Sequence, residues 1–145
     1  MADEPTLLLV EDNDLDAERI ARTLKRIACP REMRRVRHGG EALEMLKKNL
    51  EQTSDRRAFL VLLDLNMPKV NGLEFLAALR NDEPIASTPV VVLTTSQLRR
   101  DIDEAYRYNI AGFLIKPVDT QSLETLLRTA NDYWGLSEHP SLASR

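Results

Sequence analysis

The sequence predicts an open α/β domain in which a doubly wound sheet of five parallel strands carries five helices on its two faces. Three observations predict it. Short apolar runs alternate five times with segments whose apolar residues recur at helical spacing. The runs FLVLL (residues 59–63) and VVVL (90–93) are continuously apolar, as strands covered on both faces must be. Polar and charged residues crowd at the C-terminal ends of the runs, the rim where open parallel sheets bind ligands.

The first strand covers residues 7–10 and leads into a helix over 14–26, with Ile20, Leu24 and Ile27 on its apolar face. The second strand, 33–37, has the weakest pattern, because Arg34, Arg35 and Arg37 interrupt any alternation. Such a basic run could bind an anionic partner, but positive charge on an edge strand is also a defence against edge-to-edge pairing. Gly39 and Gly40 end that strand before a helix carrying Leu43, Leu46 and Leu50. The polar stretch NLEQTSDRR (49–57) is expected as an exposed loop before the third strand, FLVLL. Leu73, Leu76 and Leu79 mark the third helix, over 72–79, and VVVL is the fourth strand. Ile102, Ala105 and Tyr106 form a narrow apolar stripe on an otherwise polar fourth helix. Residues 113–115 form the fifth strand, after Gly112. Leu123, Leu126, Leu127, Ala130 and Trp134 share one face of the last helix. The expected division is one domain over 1–135 and a mobile tail over 136–145, which lacks periodicity.

With 145 residues, 43% of them hydrophobic, the chain holds enough apolar material for one continuous core and no second folded domain. Its net charge of −3, with both signs interspersed, argues against nucleic-acid binding. A single cysteine, Cys29, excludes an intramolecular disulfide and a cysteine metal cluster. The acidic start MADEPT precedes only a four-residue apolar run, so neither a secretory signal nor a membrane span is expected, and the protein is expected in the cytoplasm.

Glu11 and Asp12 close the first strand, Asp64 the third, Thr94 the fourth and Lys116 the fifth. In strand order 2-1-3-4-5, the first and third strands flank the reversal of direction, so the acidic pair and Asp64 must meet. Carboxylates that close repel one another unless a cation neutralises them. Oxygen ligands without a nearby His or Cys suit Mg2+ or Mn2+. Beside such a cation Asp64 can attack phosphorus as a carboxylate nucleophile, and the Lys116 ammonium and Thr94 hydroxyl can meet the transferred oxygens. Taken singly these residues have duller readings. Asp12 reads as readily as a helix cap, although Asp14 is the cap expected there; Thr94 reads as a strand-end hydroxyl and Lys116 as a solvated charge. Asp64 has no such alternative, and four strand ends carrying the right groups together point to one site.

The segments LLVEDN, LLDLNMPKVNG, VVVLTTS and GFLIKP resemble the receiver domain of two-component response regulators, over about residues 6–134. The resemblance implies a flavodoxin-like receiver fold in which Asp64 is the phosphoacceptor for a histidine kinase. It makes Asp12 a direct Mg2+ ligand, lets Glu11 act through water and gives the metal the backbone carbonyl of Asn66. It further implies that Lys116 contacts the phosphoryl group, that Thr94 is the switch hydroxyl, and that Phe113 moves inward as Thr94 closes. By the same resemblance, Asn66 and Ser96 lie where the family tunes access of water to the aspartyl phosphate, so they are expected to influence its lifetime. In such proteins the Lys116–Pro117 peptide is often cis. Family members often carry an aromatic where this chain has Val118.

The polar insert before the third strand, the TTS triplet and the Tyr133–Trp134 pair are similar to single-domain regulators that serve phytochrome histidine kinases. That group often forms a homodimer through the fourth helix, fifth strand and fifth helix, and the aromatic pair fits such an interface, although Trp134 fits the core of one subunit equally. The expected activity is that of a switch with weak self-catalysed phosphoryl transfer and autodephosphorylation, not of a turnover enzyme. A metal-dependent phosphohydrolase with an aspartyl nucleophile would need a second carboxylate two residues on, where Asn66 stands. A receiver-like interaction module that is never phosphorylated usually loses part of the acid, Lys and Thr set. A flavodoxin-like nucleotide binder would need a glycine-rich loop after the first strand.

Overall fold

The computed structural model describes residues 4–52, 56–67 and 71–140. In chain order the elements are β1 (Thr6–Val10), α1 (Asp14–Arg26), β2 (Met33–Val36), α2 (Gly39–Glu51), β3 (Phe59–Leu63), α3 (Gly72–Arg80), a 3-10 turn (Glu83–Ile85), β4 (Val90–Thr94), α4 (Arg99–Arg107), β5 (Gly112–Ile115) and α5 (Thr120–Leu136). All strand pairs are parallel, in the order β2-β1-β3-β4-β5. The chain reverses direction across the sheet between β1 and β3, whose register sets Val10 opposite Leu63.

Period-two alternation along the strands divides the interior into two cores. Leu8, Val10, Val61, Leu63, Val90 and Val92 face one side and pack with Ala42 and Leu46 of α2, Phe75, Leu76 and Leu79 of α3, and Ala105 of α4. Leu7, Leu9, Leu60, Leu62, Val91 and Leu93 face the other and pack with Ala17, Ile20 and Leu24 of α1 and Leu123, Leu127 and Trp134 of α5. The continuously apolar runs of β1, β3 and β4 follow from this: each strand feeds a core on both faces.

Several boundaries differ from the sequence reading. Asn13, not Asp14, caps α1, its side-chain oxygen accepting the Asp16 N–H at 2.9 Å. Asp14 instead sits in the first turn and draws Arg35 and Arg37 to one carboxylate oxygen, each at 2.9 Å. With Arg34 paired to Glu32, the basic run of β2 is committed to internal ion pairs. Gly39 and Gly40, expected to precede α2, form its first turn. Asn49, expected in the loop, lies in α2 and exchanges hydrogen bonds with the Arg57 backbone; residues 53–55 of that stretch lie outside the described residues. α5 continues through Gly135 to Leu136, and residues 141–145 of the expected tail also lie outside the described residues. Trp134 is 4% exposed and belongs to a core, whereas its neighbour Tyr133 is 65% exposed. Peptide bonds among the described residues are all trans, that of Lys116–Pro117 included, where cis was expected; trans is the lower-energy form of an X–Pro bond. No helix among the described residues is long and apolar enough to cross a membrane.

Candidate functional site

The backbone ladder carries Glu11, Asp64 and Lys116 one step past their strands, while Thr94 is the last residue of β4. The Glu11 N–H donates to Val36 O (3.1 Å), the Asp64 N–H to Val10 O (3.1 Å), and the Lys116 N–H to Thr94 O (2.7 Å). These groups are therefore held by sheet hydrogen bonds, although they lie beyond the strands proper. Gly72, the first residue of α3, packs against the turn after Asp64: a Cβ there would lie 2.7 Å from Leu65 Cα and 3.0 Å from Asp64 O. An Asn71–Glu74 capping box fixes that helix start.

Carboxylate oxygens of Glu11, Asp12 and Asp64 lie within 4.8 Å of one another. Lys116 stands beside them, its Nζ 2.7 Å from Glu11 Oε1, 3.1 Å from Asp16 Oδ2 and 3.9 Å from Asp64 Oδ2. The Thr94 hydroxyl donates to Asp64 Oδ1 at 2.8 Å, and the Asn66 N–H to the same oxygen at 3.2 Å. The Asn66 side-chain amide reaches the hydroxyls of Thr94 and Thr95, at 3.4 Å each. The Ser96 hydroxyl is engaged by α4, donating to Asp101 Oδ2 at 2.6 Å, while its N–H points at Thr94 Oγ1 at 3.4 Å. Phe113 is half-buried and packs against the core beneath α2, α3 and α4.

Burial governs the electrostatics. Glu11 is 1% exposed, Thr94 0%, and Asp64 and Lys116 6% each. Loss of water pushes the Glu11 carboxyl up to about 7, and the charge of Asp64 adds to that push. The opposing hydrogen bond from Lys116 and the Asn13 N–H are too weak to cancel it. For Lys116 burial alone would lower the pKa, but the Glu11 hydrogen bond, the charges of Asp64 and Glu11 and the Asp16 contact outweigh it, so the ammonium is held above its ordinary value. Three carboxylates against one ammonium leave a surplus of negative charge. With oxygen donors and neither His nor Cys among them, the cluster fits a hard divalent cation such as Mg2+ or Mn2+.

The structure thus brings together Glu11, Asp12, Asp64, Thr94 and Lys116, with Asn66 beside them, and sets Ser96 and Phe113 further off. Asp16 and Arg19 were not foreseen at this site. Asp16 reads in sequence as an acid favouring a helix N-terminus, and its partner Lys116 lies 100 residues away.

Similarity to known proteins agrees with this geometry. The probable methanogenesis regulatory protein FilR2 of Methanothrix harundinacea is 36% identical over 134 residues, covering 92% of this chain and 86% of that protein. Response regulator Rcp1 of Synechocystis is 32% identical over 128 residues, covering 88% of this chain and 87% of that protein. The phosphorylated cyanobacterial phytochrome response regulator RcpA superposes with a TM-score of 0.83 at 32% identity, covering 96% of this chain and 100% of that one. The Mn2+-bound form of Rcp1 gives 0.81 at 31%, covering 94% and 99%. Residues 7–128 match the response regulator receiver domain, a span that begins in β1 and includes every group of the acidic rim. That match over most of the chain, together with a fold superposable on solved response regulators, leads to one conclusion: the chain belongs to the response regulator receiver family of two-component signalling.

Proposed function

We propose that the protein, through residues 1–135, is a phosphoacceptor switch in which Asp64 receives a phosphoryl group from the phosphohistidine of a histidine kinase. The observation that carries this reading is the meeting of Glu11, Asp12 and Asp64 oxygens within 4.8 Å, beside a buried ammonium and hydroxyl. Asp64 Oδ2 attacks phosphorus as the P–N bond to the kinase histidine breaks, giving an aspartyl phosphate. Lys116, 3.9 Å from that oxygen, needs only a small shift to meet a phosphoryl oxygen. The Thr94 hydroxyl exchanges its Asp64 bond for one to the phosphoryl group, and Phe113 follows into the space beside it. Glu11, Asp12, Asp64 and the Asn66 carbonyl would hold Mg2+ or Mn2+, which when bound offsets the charge of the acids and of the transferred oxygens. Asn66 and Ser96 govern water access and hence the lifetime of the acyl phosphate, and autodephosphorylation resets the switch.

The output is a population shift in the surface formed by α4, β5 and α5. That surface exposes Tyr106, Ile115, Tyr133 and Leu136, apolar area suited to a homodimer. Likeness to RcpA, a cyanobacterial phytochrome response regulator, favours a kinase of the phytochrome type. Incubation with acetyl phosphate and Mg2+, followed by intact mass measurement, tests the reading. Wild type gains one phosphoryl group and Asp64→Asn none; no gain in wild type, or equal gain in both, overturns it. Sizing with and without beryllofluoride tests the dimer, and a monomer under both conditions at high concentration removes it.

A further inference from the structure

We infer that Asp16, backed by Arg19, is a positioning residue that fixes the Lys116 ammonium beside Asp64; the inference rests on the phosphoacceptor reading above. An ammonium has three N–H donors. At Lys116 one meets Glu11 Oε1 at 2.7 Å and a second meets Asp16 Oδ2 at 3.1 Å. Asp64 Oδ2 lies at 3.9 Å, beyond hydrogen-bond length. Two carboxylates thus hold the ammonium short of the phosphoacceptor, and the third donor remains available to an oxygen that arrives on Asp64. Without the Asp16 anchor, attraction would draw the ammonium onto the Asp64 carboxylate and occupy the oxygen that has to act as nucleophile.

Asp16 is itself fixed from two sides. Its N–H donates to the Asn13 cap at 2.9 Å, which sets the first turn of α1. Its other oxygen, Oδ1, lies 3.7 Å from Arg19 Nη1. Arg19 Nη2 donates in turn to the carbonyls of Pro117 and Val118, at 3.1 and 3.2 Å, the two residues that follow Lys116. α1 therefore grips both the ammonium and the backbone that carries it, and a first-turn acid serving only the helix dipole would need neither contact. Asp16 and Arg19 are about 30% exposed at the side chain, so the grip is of the strength of a half-exposed ion pair and acts through orientation.

The test compares wild type, Asp16→Asn and Asp16→Glu for phosphorylation by acetyl phosphate across a range of Mg2+ concentrations. Wild-type phosphorylation tests the underlying reading independently: if wild type gains no phosphoryl group, that reading fails. If it does, Asp16→Asn is expected to lower the maximal rate at saturating Mg2+ about three- to fivefold, with Asp16→Glu restoring it towards wild type. An unchanged maximal rate, or a shift only in the half-saturating Mg2+ concentration, overturns the inference, because Asp16 would then act at most through the field on the cation. Equal loss in both variants also overturns it. A crystal structure of unphosphorylated Asp16→Asn gives a readout independent of the chemistry. The Lys116 Nζ to Asp64 Oδ2 distance is expected to shorten from 3.9 Å to hydrogen-bond length, and an unmoved ammonium contradicts the inference.

Discussion

The pH dependence of metal binding follows from one buried acid. Glu11 is raised from 4.5 to about 7, first by burial and then by the charge of Asp64. A cation bound at this cluster requires Glu11 ionised, so binding has to expel whatever proton Glu11 carries. With a value of about 7, Glu11 is roughly nine-tenths protonated at pH 6 and one-tenth at pH 8, so the apparent Mg2+ affinity rises about tenfold across that interval. At pH 7 about half a proton leaves per ion bound. The same shift bears on folding. Because the folded value lies above the unfolded one, the stability contributed by Glu11 is complete below pH 4.5 and is lost in the metal-free protein as pH rises through about 7. Titration calorimetry in two buffers of different ionisation enthalpy measures the proton release, and repeating it from pH 6 to 8 gives the affinity curve. Glu11→Gln is expected to flatten that curve. An affinity independent of pH in wild type, or no proton released at pH 7, would refute the electrostatic account of the site.

Other consequences are local. Thr94→Val keeps the side-chain shape but removes the donor to Asp64 Oδ1; phosphorylation should persist while the beryllofluoride-induced amide shifts in α4 and β5 shrink, and full-sized shifts would remove Thr94 from the switch. Gly72→Ala places a methyl 2.6 Å from Leu65 Cδ2 and 2.7 Å from Leu65 Cα, so urea unfolding should show a loss of about 1–3 kcal/mol together with slower phosphorylation. Arg80 donates to the carbonyls of Tyr108, Ala86, Thr88 and Asn109, tying the end of α3 to the turn before β4 and the loop before β5. Arg80→Ala should cost about 2–3 kcal/mol by the same assay, and a loss under 0.5 kcal/mol would show those contacts to be idle.

The sheet was legible because burial on both faces writes itself into composition. The apolar runs at 7–10, 59–63 and 90–93 admit no polar residue until the rim, and the rim residues then name the site. Edge strand β2 was harder to read, since Arg34 and Arg35 sit on a strand with one free side and pair with Glu32 and Asp14. Local signals misled where a neighbour outweighed them: Gly39 looks like a stop but opens α2, and Gly135 looks like an end but lies inside α5. Trp134 could be read as interface or core, and packing against Leu123 and Leu127 decided for core. The Asp16–Lys116 contact was not readable at all, because nothing local to Asp16 distinguishes it from an ordinary first-turn acid.

The most direct measurement is a crystal structure of the protein with Mg2+ and beryllofluoride on Asp64. The account predicts the cation among Glu11, Asp12, Asp64 and the Asn66 carbonyl, with fluorine atoms contacted by the Lys116 ammonium and the Thr94 hydroxyl. A cation bound elsewhere, or a beryllofluoride group that Lys116 and Thr94 both leave untouched, would contradict it.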